Sequence, residues 1–507
     1  MNVVFISIDS LNRHFLDVYG KPIELDVKTL NIDRFAERAL IFDRHYAGSL
    51  PCMPARREFQ AGIQEFLWRP WGPIEPFDLT LSRAARQAGA VTQLVTDHYH
   101  FFQHGAHGYY EDFNGFDFIR GHESDAWKTE PKHPDPDFLR QIVATDHDDV
   151  TTYMSRVAYA RNVAGFDRTN ERDFFPAKVF MSAENWLRAN TEHDKWMLVV
   201  DSFDVHEPFH VPEPYASMYT HEDPTDPDLV IWPVYGRVDE GRSQLTDRQL
   251  AFVRSQFAGK LTMVDHWLGR VLDELDRQQL WDETMVIITT DHGHYLGEHG
   301  WIGKPDCPFY NVLAHTPLLI WHPDNPNPGG RTDALTSAVD LYATMLDALS
   351  ASTPAHAHSR SLMPVITGTA RAHRDWAIYG YWGSSVNVTD GKYTYFRPCD
   401  AEQPAESYST MMLQMDPWDW FLPPQPHEDA ESGRFLPYTD APVWRYGLSS
   451  RVRHESPMLF NVDDDPLQEH DLAGNSDPNE QRMCELLVTA LTEIKAPQSQ
   501  FKRLGLR

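Results

Sequence analysis

Five short apolar segments recur along the chain, and each has the length and residue types of a buried β-strand. They are residues 3–8 (VVFISI), 91–96 (VTQLVT), 196–203 (WMLVVDSF), 284–290 (TMVIITT) and 316–321 (TPLLIW). Amphipathic helical patterns separate them. The clearest covers about 247–277, where apolar side chains keep an i, i+3 and i+4 spacing: Val253, Phe257, Leu261, Val264, Leu268, Val271 and Leu275. This alternation predicts an α/β fold with a large sheet flanked by helices.

The length of 507 residues suggests a large catalytic domain followed by a smaller one. We place the catalytic domain at residues 1–375 and a C-terminal subdomain at 376–507. Within the subdomain, 376–383 and 384–397 have the character of antiparallel strands, and a final helix is predicted over about 479–494. A helix over 340–350, with Asp340 as a candidate N-cap, closes the catalytic domain.

Two long stretches, 120–150 and 400–445, are rich in Pro, Asp, His and Trp. Both are interpreted as insertions or lids over a site, with plain surface loops as the open alternative. The segment DPWDWFLPP at 416–424 could line an aromatic pocket, or form a packed lid or a subunit contact. It predicts no substrate.

The charge and the cysteine content exclude several classes of protein. The formal net charge of −29 argues against nucleic acid or an anionic membrane as a partner, because both require a basic surface. No apolar run is long enough to span a bilayer, and the N-terminus resembles a strand rather than a secretory signal. The four cysteines, Cys52, Cys307, Cys399 and Cys484, are too widely spaced for a disulfide scaffold or a zinc site. These features predict a cytoplasmic enzyme with reduced thiols.

Acids and histidines follow four of the five predicted strands. They are Asp9 and Ser10; Asp97, His98 and His100; Asp201, Asp204 and His206; and Asp291 and His292. In open α/β sheets, ligands bind at the carboxyl ends of the strands. One such loop alone carries little information, but four together predict a shared site.

Asp9, Asp291 and His292 are candidate metal ligands, because carboxylates held at strand ends suit a divalent cation. The carboxylate and imidazole mixture fits Mn, Zn or Fe better than an all-oxygen calcium site. A cap or turn role for Asp9 remains the alternative. His294 and His299 lack H-E-x-x-H spacing and are interpreted as loop or supporting histidines.

The segment SLPCMPARREF at 49–59 places Cys52 near the start of a helix predicted over about 53–62. Backbone N–H groups at a helix N-terminus favour an anion, and Arg56 lies one turn further on. A buried structural cysteine is the ordinary interpretation of a lone Cys. A nucleophilic thiolate would need a base and this basic setting.

CMPAR at 52–56 matches C-x-P-x-R, the signature of the sulfatase family within the alkaline-phosphatase superfamily. Other segments resemble the same family along nearly the whole chain: FISIDS (5–10), DVHEPF (204–209), AGKLTMVDHWLGRVLDEL (258–275), TTDHGHYLGEHGWIGK (289–304) and LFNVDDDPLQEHDLAG (459–474). The resemblance implies an alkaline-phosphatase-like fold: a large mixed sheet flanked by helices, with a C-terminal subdomain containing an antiparallel sheet and a helix.

The resemblance also implies roles for single residues. Cys52 would be oxidised by a formylglycine-generating enzyme, and one hydroxyl of the hydrated formylglycine would be the nucleophile. Asp9, Asp291, His292 and this modified Cys52 would hold one divalent ion (Mn, Ca, Zn or Fe, with Mn or Ca favoured). Arg56 and Lys304 would stabilise charge, and His206 would contact the leaving group or act as general acid. His98 and His100 are candidates for substrate contact, with a merely histidine-rich loop as the alternative.

The chain differs from many sulfatases at three positions in these motifs. Many sulfatases have a second acid or amide where this chain has Ser10, and Asp-Asn where it has Asp291–His292. Many also have a lysine in the segment that here is TDHYH (96–100). The Asp-His pair resembles bacterial phosphonate monoester hydrolases and their arylsulfatase relatives. The first hypothesis is a hydrolase of small sulfuric esters. The alternatives are a phosphonate monoester hydrolase or phosphodiesterase using the same residues, and an inactive binding relative. Whether the chain forms a homo-oligomer is left open.

Overall fold

The computed structural model describes residues 1–20, 25–103, 105–126, 132–142, 150–304, 307–413 and 424–506. Apart from the two-residue strand Ser49–Leu50, the strands of the eight-stranded sheet, the five-stranded sheet and the C-terminal three-stranded sheet are β1 (Asn2–Ile8), β2 (Leu40–Phe42), β3 (Val91–Thr96), β4 (Gly115–Phe118), β5 (Trp196–Ser202), β6 (Thr284–Thr289), β7 (Leu318–Trp321), β8 (Arg331–Thr332), β9 (Ala377–Tyr381), β10 (Val386–Thr389), β11 (Tyr393–Arg397), β12 (Ala405–Ser409), β13 (Glu431–Gly433), β14 (Val443–Leu448) and β15 (Met458–Asn461). The helices are α1 (Leu30–Ala36), α2 (Cys52–Ala61), α3 (Leu81–Gln87), α4 (Pro136–Ile142), α5 (Val150–Val163), α6 (Phe175–Asn190), α7 (Asp247–Gln278), α8 (Asn311–Ala314), α9 (Asp340–Ala348), α10 (Met363–Ile366), α11 (Pro478–Glu493) and α12 (Gln498–Arg503).

An eight-stranded mixed sheet organises the larger part of the molecule, in the order β8-β2-β7-β6-β1-β5-β3-β4. Strands β6, β1, β5, β3 and β4 run parallel, whereas β7 pairs antiparallel with both β6 and β2. The central strand β1 is paired from Val3↔Met197 on one side and from Asn2↔Thr284 on the other. The carboxyl ends of these five adjacent strands therefore meet at one edge of the sheet.

Both faces of this sheet are covered, which explains why its central strands are apolar throughout rather than alternating. Every residue of β1 is buried. Val4, Ile6 and Ile8 pack with the apolar stripe of α7 on one face. Val3 and Phe5 pack on the other face, where α2, α3 and α9 contribute to the core. The strand and helix patterns predicted from the sequence are confirmed here, including α7.

A smaller antiparallel sheet follows, in the order β15-β11-β10-β9, and α11 packs against it. The last strand of this sheet comes from the N-terminal part of the chain, because β9 also pairs in parallel with Ser49–Leu50, the segment just before Cys52. A three-stranded sheet, β12-β14-β13, completes this region. The predicted fold class is therefore confirmed, and the domain boundary near residue 375 stays a prediction.

The described structure corrects one local prediction. Asp340 does not cap α9; it is the first helical residue, and Val339 is at the N-cap position. Its carboxylate is taken up by Arg374 and accepts a hydrogen bond from the Ser337 N–H (3.1 Å). The Arg360 N–H also donates to this carboxylate (3.0 Å), so its oxygens are bonded by groups outside α9.

Parts of the two predicted insertions fall outside the described residues, including 416–423 of the DPWDWFLPP segment. No helix in the described portion of the chain combines the length and apolar character needed to cross a membrane.

Candidate active site

Four aspartates lie side by side where the parallel strands end. Asp291 follows β6, Asp9 follows β1, Asp201 belongs to the end of β5, and Asp97 follows β3. All four are buried. Because β6, β1, β5 and β3 are neighbours in the sheet, the topology brings together carboxylates that are up to 282 residues apart in sequence.

The guanidinium of Arg56, on the second turn of α2, joins three of these carboxylates. It donates two hydrogen bonds to Asp201 (Nε–Oδ2 2.8 Å and Nη2–Oδ1 2.7 Å) and one to Asp291 Oδ2 (2.6 Å). Its Nη2 is also 2.9 Å from Asp9 Oδ2, and its Nη1 donates to the main-chain carbonyl of Cys52 (3.1 Å). Burial raises the pKa of Asp201 to about 6, although Arg56 pulls that pKa down. Arg56 therefore positions both α2 and the carboxylates.

Cys52 is the first residue of α2 and only 3% exposed. Its sulfur is 3.3 Å from His292 Nε2 and 3.4 Å from Lys304 Nζ. Burial, and then the negative charge of Asp9, raise the pKa of the Cys52 thiol well above its usual value. Without a bound cation, an unmodified Cys52 is therefore a neutral thiol near pH 7 and not a thiolate.

The side chains of Asp9, Cys52, Asp291 and His292 place one ligand atom each within 4.8 Å of one another. His292 Nδ1 donates to the Gly293 carbonyl (2.8 Å), which leaves the Nε2 lone pair directed at the cluster. Burial lowers the pKa of His292 to about 4, so the imidazole is neutral, as a metal ligand must be. Asp9 Oδ2 accepts no regular hydrogen bond although it is fully buried. This donor set fits one divalent cation.

Lys304 and Ser10 border the same cluster. Lys304 Nζ donates to Ser10 Oγ (3.3 Å) and is 3.7 Å from Asp9 Oδ1. Burial opposes its charge, but Cys52, Asp9 and Glu207 raise the pKa of Lys304 above the usual value. Ser10 has a φ of 61°, an unusual conformation outside glycine. That turn directs its N–H to Asp291 Oδ1 (3.2 Å), while its hydroxyl donates to Asp9 Oδ1 (2.8 Å).

His206 lies in the loop after β5, with its imidazole stacked on Phe203 (ring centroids 4.1 Å apart). Its Nδ1 donates to the carbonyl of Glu207 (2.7 Å), so Nε2 carries the lone pair. Burial lowers the pKa of His206, partly offset by Glu207. His206 is neutral near pH 7 and would have to gain a proton before it could act as a general acid. Its predicted role stays a prediction.

The two other predicted histidines differ in their surroundings. His98 Nε2 is 3.5 Å from Asp9 Oδ2, so His98 borders the carboxylate cluster. His100 is directed instead to Glu123 (Nε2–Oε2 2.9 Å) and Gln103 (Nδ1–Oε1 2.8 Å). Substrate contact by either one stays a prediction. Of the loop histidines, His294 Nε2 donates to Glu207 Oε2 (3.0 Å), and His299 Nε2 donates to the Leu467 carbonyl (2.9 Å).

Several residues at or beside the site had no predicted role. Asp201 was named only among the acids at strand ends, and that position was its signal. Lys260 is buried on α7, three residues after Phe257 and seven after Val253, and a lysine at a core position of an amphipathic helix is also a signal. Glu207 and His122 are buried too, but they lie in loops whose course the sequence did not reveal.

Comparison with known proteins agrees with this geometry. Residues 1–351 match the family model described as Sulfatase. The chain is 24% identical over 424 residues to the multifunctional alkaline phosphatase superfamily protein PehA of Trinickia caryophylli, which covers 72% of this chain and 77% of that protein. It is 21% identical over 433 residues to a choline-sulfatase of Rhizobium meliloti, with 79% of each chain covered.

Solved structures show the same fold. The phosphonate monoester hydrolase of Agrobacterium radiobacter superposes with a TM-score of 0.65 at 19% identity, covering 97% of this chain and 96% of that chain. The phosphonate monoester hydrolase SpPMH of Silicibacter pomeroyi gives a TM-score of 0.65 at 20% identity, covering 98% and 96%. The fold is thus the alkaline-phosphatase-like fold of these enzymes. The family match over residues 1–351, together with the C-x-P-x-R cysteine at the centre of the carboxylate cluster, shows that the chain belongs to the sulfatase family of hydrolases.

Proposed function

We propose that the protein is a metal-dependent hydrolase of small sulfuric esters, with a formylglycine made from Cys52 as its nucleophile. One observation carries this proposal: the Cys52 sulfur lies at the helix N-terminus, in contact with His292 and Lys304 and within the donor set of Asp9 and Asp291. Burial and the neighbouring carboxylates raise the pKa of the thiol. A hydrated aldehyde at the same carbon would place a hydroxyl there instead.

Asp9, Asp291, His292 and one hydroxyl of the modified residue would hold the divalent ion. That ion supplies a Lewis acid, which lowers the pKa of the hydroxyl and polarises the ester oxygens. The hydroxyl would lose its proton and attack sulfur in line; a new O–S bond would form, and the bond from sulfur to the alcohol oxygen would break. The released alkoxide would take up a proton, so no net proton is consumed in this half of the reaction. Lys304 and Arg56 provide positive charge for the non-bridging oxygens.

The second hydroxyl of the diol completes the cycle. It gives up its proton, its oxygen forms the aldehyde C=O bond, and the bond between this carbon and the sulfate oxygen breaks. Sulfate is released, and water hydrates the aldehyde again. A serine at position 52 could form the covalent ester but has no second hydroxyl with which to expel sulfate.

The charge at the site favours a monoanionic substrate. The contacting groups are two cations, Arg56 and Lys304, against the three carboxylates of Asp9, Asp201 and Asp291. These five groups have a net charge of −1, and a bound divalent cation changes that net charge to +1. Sulfate monoesters carry one negative charge at their tetrahedral centre, and so do phosphonate monoesters and phosphodiesters.

This shared charge supports a second candidate, a phosphonate monoester hydrolase or phosphodiesterase using the same residues. The Asp291–His292 pair and the overall likeness to phosphonate monoester hydrolases favour it. An enzyme that accepts both substrate types is compatible with the same site. An inactive binding relative is the third candidate, and it would leave Cys52 as a thiol.

The deciding measurement is the mass of the tryptic peptide His45–Arg56 from purified protein, made with and without a co-expressed formylglycine-generating enzyme. We expect an aldehyde or its hydrate in place of the thiol, and activity in proportion to the converted fraction. An intact thiol in protein that still turns over esters would contradict the proposed nucleophile.

The substrate class is decided in the same preparation. We compare kcat/KM for an aryl sulfate with kcat/KM for a phenyl phosphonate monoester. A higher value on the sulfate supports the first candidate, and a higher value on the phosphonate supports the second. Protein that keeps the Cys52 thiol even with the co-expressed modifying enzyme and hydrolyses neither ester would favour the binding relative.

A further inference from the structure

A second buried group of charged side chains lies behind the loop that carries His206. Its members are Asp97 after β3, His122 after β4, Asp204 after β5 and Lys260 on α7, all of them buried. The ligand atoms of Asp97, His122 and Asp204 lie within 4.8 Å of one another. The reaction proposed above uses none of these four residues.

Lys260 is the centre of this group. Its ammonium forms an ion pair with Asp204 Oδ1, and it also donates hydrogen bonds to the carbonyls of His206 (2.8 Å) and Pro208 (2.7 Å). The same Asp204 oxygen is bonded by His122 Nε2 (2.7 Å). One lysine thus holds the main chain on both sides of Glu207, directly at the residue whose imidazole faces the candidate site.

The rest of the loop is fixed by the same neighbourhood. Asp97 Oδ1 accepts a hydrogen bond from the Phe203 N–H (2.7 Å), and the Val205 N–H donates to the Asp9 carbonyl (3.0 Å). The Phe203 ring stacks on His206 and meets His98 edge-on, with ring centroids 4.5 Å apart. The course of this loop therefore sets where both imidazoles lie relative to Asp9.

The ammonium of Lys260 already supplies a cation to this group, since it contacts the Asp204 oxygen that a metal ion would need. Burying a lysine carries a desolvation penalty, and an apolar side chain of similar length would pack on α7 without it. The lysine is therefore explained by the three oxygens it binds rather than by packing.

We infer that Lys260, held by Asp204, is a positioning residue that places the His206 imidazole for the reaction. This inference rests on the proposed function together with the role that the resemblance to sulfatases implies for His206, which is contact with the leaving group. It adds to that function a requirement for a buried lysine 54 residues further along the chain than His206.

The test is a double-mutant cycle with Lys260→Met and His206→Ala in the converted, metal-loaded enzyme. Lys260→Met should lower kcat by about 10- to 100-fold, as expected for misplacement of a reacting group by about 1 Å, with KM changed less than about threefold. In the His206→Ala background the same substitution should change kcat less than about threefold. Lys260→Arg should restore part of the lost kcat, because arginine can still donate to the two carbonyls.

Gln256→Met is the matched control. Gln256 is also buried on α7, and its side chain also donates to a main-chain carbonyl, that of Ala216 (2.8 Å). Its removal should leave kcat within about twofold of wild type. Two results would overturn the inference. One is that Lys260→Met lowers kcat by the same factor in the wild-type and in the His206→Ala background. The other is that Lys260→Met has the kcat of the wild type.

A readout that needs no turnover separates this inference from the proposed function. The imidazole ¹⁵N signals of His206, assigned by their loss in His206→Ala, should shift in Lys260→Met and stay in place in Gln256→Met. Shifted signals in a protein that hydrolyses no ester would leave the inference standing and sink the proposed function. Unshifted signals would overturn the inference. A second equivalent of tightly bound metal that disappears in Asp204→Asn would also overturn it, since the group would then be a metal site.

Discussion

Arg56 and Arg57 are neighbours on α2 and are both buried. Each donates two hydrogen bonds to one aspartate. Arg56 binds Asp201 at 2.8 and 2.7 Å, and Arg57 binds Asp78 at 3.0 and 2.9 Å. One step along a helix turns a side chain by about 100°, so the two guanidinium groups enter different regions. Arg56 reaches the strand ends beside Cys52, and Arg57 reaches a charge network beneath the C-terminal region.

The network of Arg57 is a chain of ion pairs between arginines and carboxylates. Glu65 lies 3.8 Å from Arg57 and also pairs with Arg69, which in turn pairs with Glu75. Glu75 accepts hydrogen bonds from Ser409 Oγ (2.5 Å) and from Thr410 Oγ1 (2.5 Å). Around Arg56, in contrast, two carboxylates, an imidazole and the Cys52 sulfur face one another and could share one cation. Buried charge alone therefore does not mark a functional site; convergence of several ligand atoms does.

Arg56→Lys should produce the largest effect and so is the strongest test of this difference. A lysine cannot bind Asp201 with two hydrogen bonds and also reach Asp9 and Asp291. We expect kcat/KM to fall by about 10²- to 10³-fold, the usual cost of removing one positioned charge-stabilising donor. The melting temperature of the variant is measured as well. If Arg56→Lys destabilises the fold but leaves the activity per folded molecule unchanged, Arg56 has only a structural role, like Arg57.

Arg57→Lys is the matched substitution in the other network. It should leave kcat/KM of the folded enzyme within about threefold of wild type. It should reduce the free energy of unfolding by about 1.5–3 kcal/mol, because hydrogen bonds to a buried carboxylate are lost. Urea unfolding followed by circular dichroism measures the stability. A large drop in kcat/KM without loss of stability would contradict the structural role.

Glu58, the next residue of α2, sharpens the comparison through pH. Its carboxylate accepts hydrogen bonds from the Ser49 N–H (2.6 Å) and hydroxyl (2.5 Å), and burial raises the pKa of Glu58 to about 8. The folded state therefore binds more protons than the unfolded state between about pH 4.3 and pH 8. Stability contributed by the protonated group is present at low pH and is lost as the pH rises through this range.

Glu58→Gln removes this ionisation but keeps an oxygen that can accept from Ser49. The melting temperature of the wild type should fall relative to Glu58→Gln between about pH 5 and pH 8. Melting curves in matched buffers check this, and parallel pH profiles for the two proteins would show that Glu58 has an ordinary pKa.

Thr410→Val should give the smallest effect. It deletes one hydroxyl that donates to Glu75, at the point where the Arg57 network meets the C-terminal region. We expect a loss of about 1 kcal/mol in the free energy of unfolding and no change in kcat/KM. Chemical denaturation and steady-state kinetics provide both values. An effect on kcat/KM beyond about twofold would mean that this network also reaches the active site.

The elements that position the site could be predicted from the sequence because their signals are local. The uniformly apolar strands, the stripe on α7 and the acids at strand ends each follow from residues close in sequence. The C-x-P-x-R pattern and its surrounding segments also pointed to the sulfatase family, which the family match then showed. Cys52, Asp9, Asp291, His292, Arg56 and Lys304 were named in advance and lie together, although their chemical roles stay predictions.

The partners of these residues could not be predicted in the same way. Nothing near Arg56 in sequence indicates that it binds Asp201, which is 145 positions away. The direction of His100 toward Glu123 depends on a loop that begins after the edge strand β4. The pairing of Ser49–Leu50 with β9 was likewise hidden, because two-residue strands carry no periodic signal.

The depth of Cys52 has a consequence for biosynthesis. The sulfur lies at the start of a wholly buried helix, behind Lys304 and His292 and beneath a sheet to which the C-terminal region contributes β9. Another protein could not close its own active site around a side chain in this position. An enzymatic oxidation of Cys52, as proposed above, would therefore have to precede the folding of residues 377–381 onto 49–50. Modification of Cys52 would then compete in time with folding of the chain.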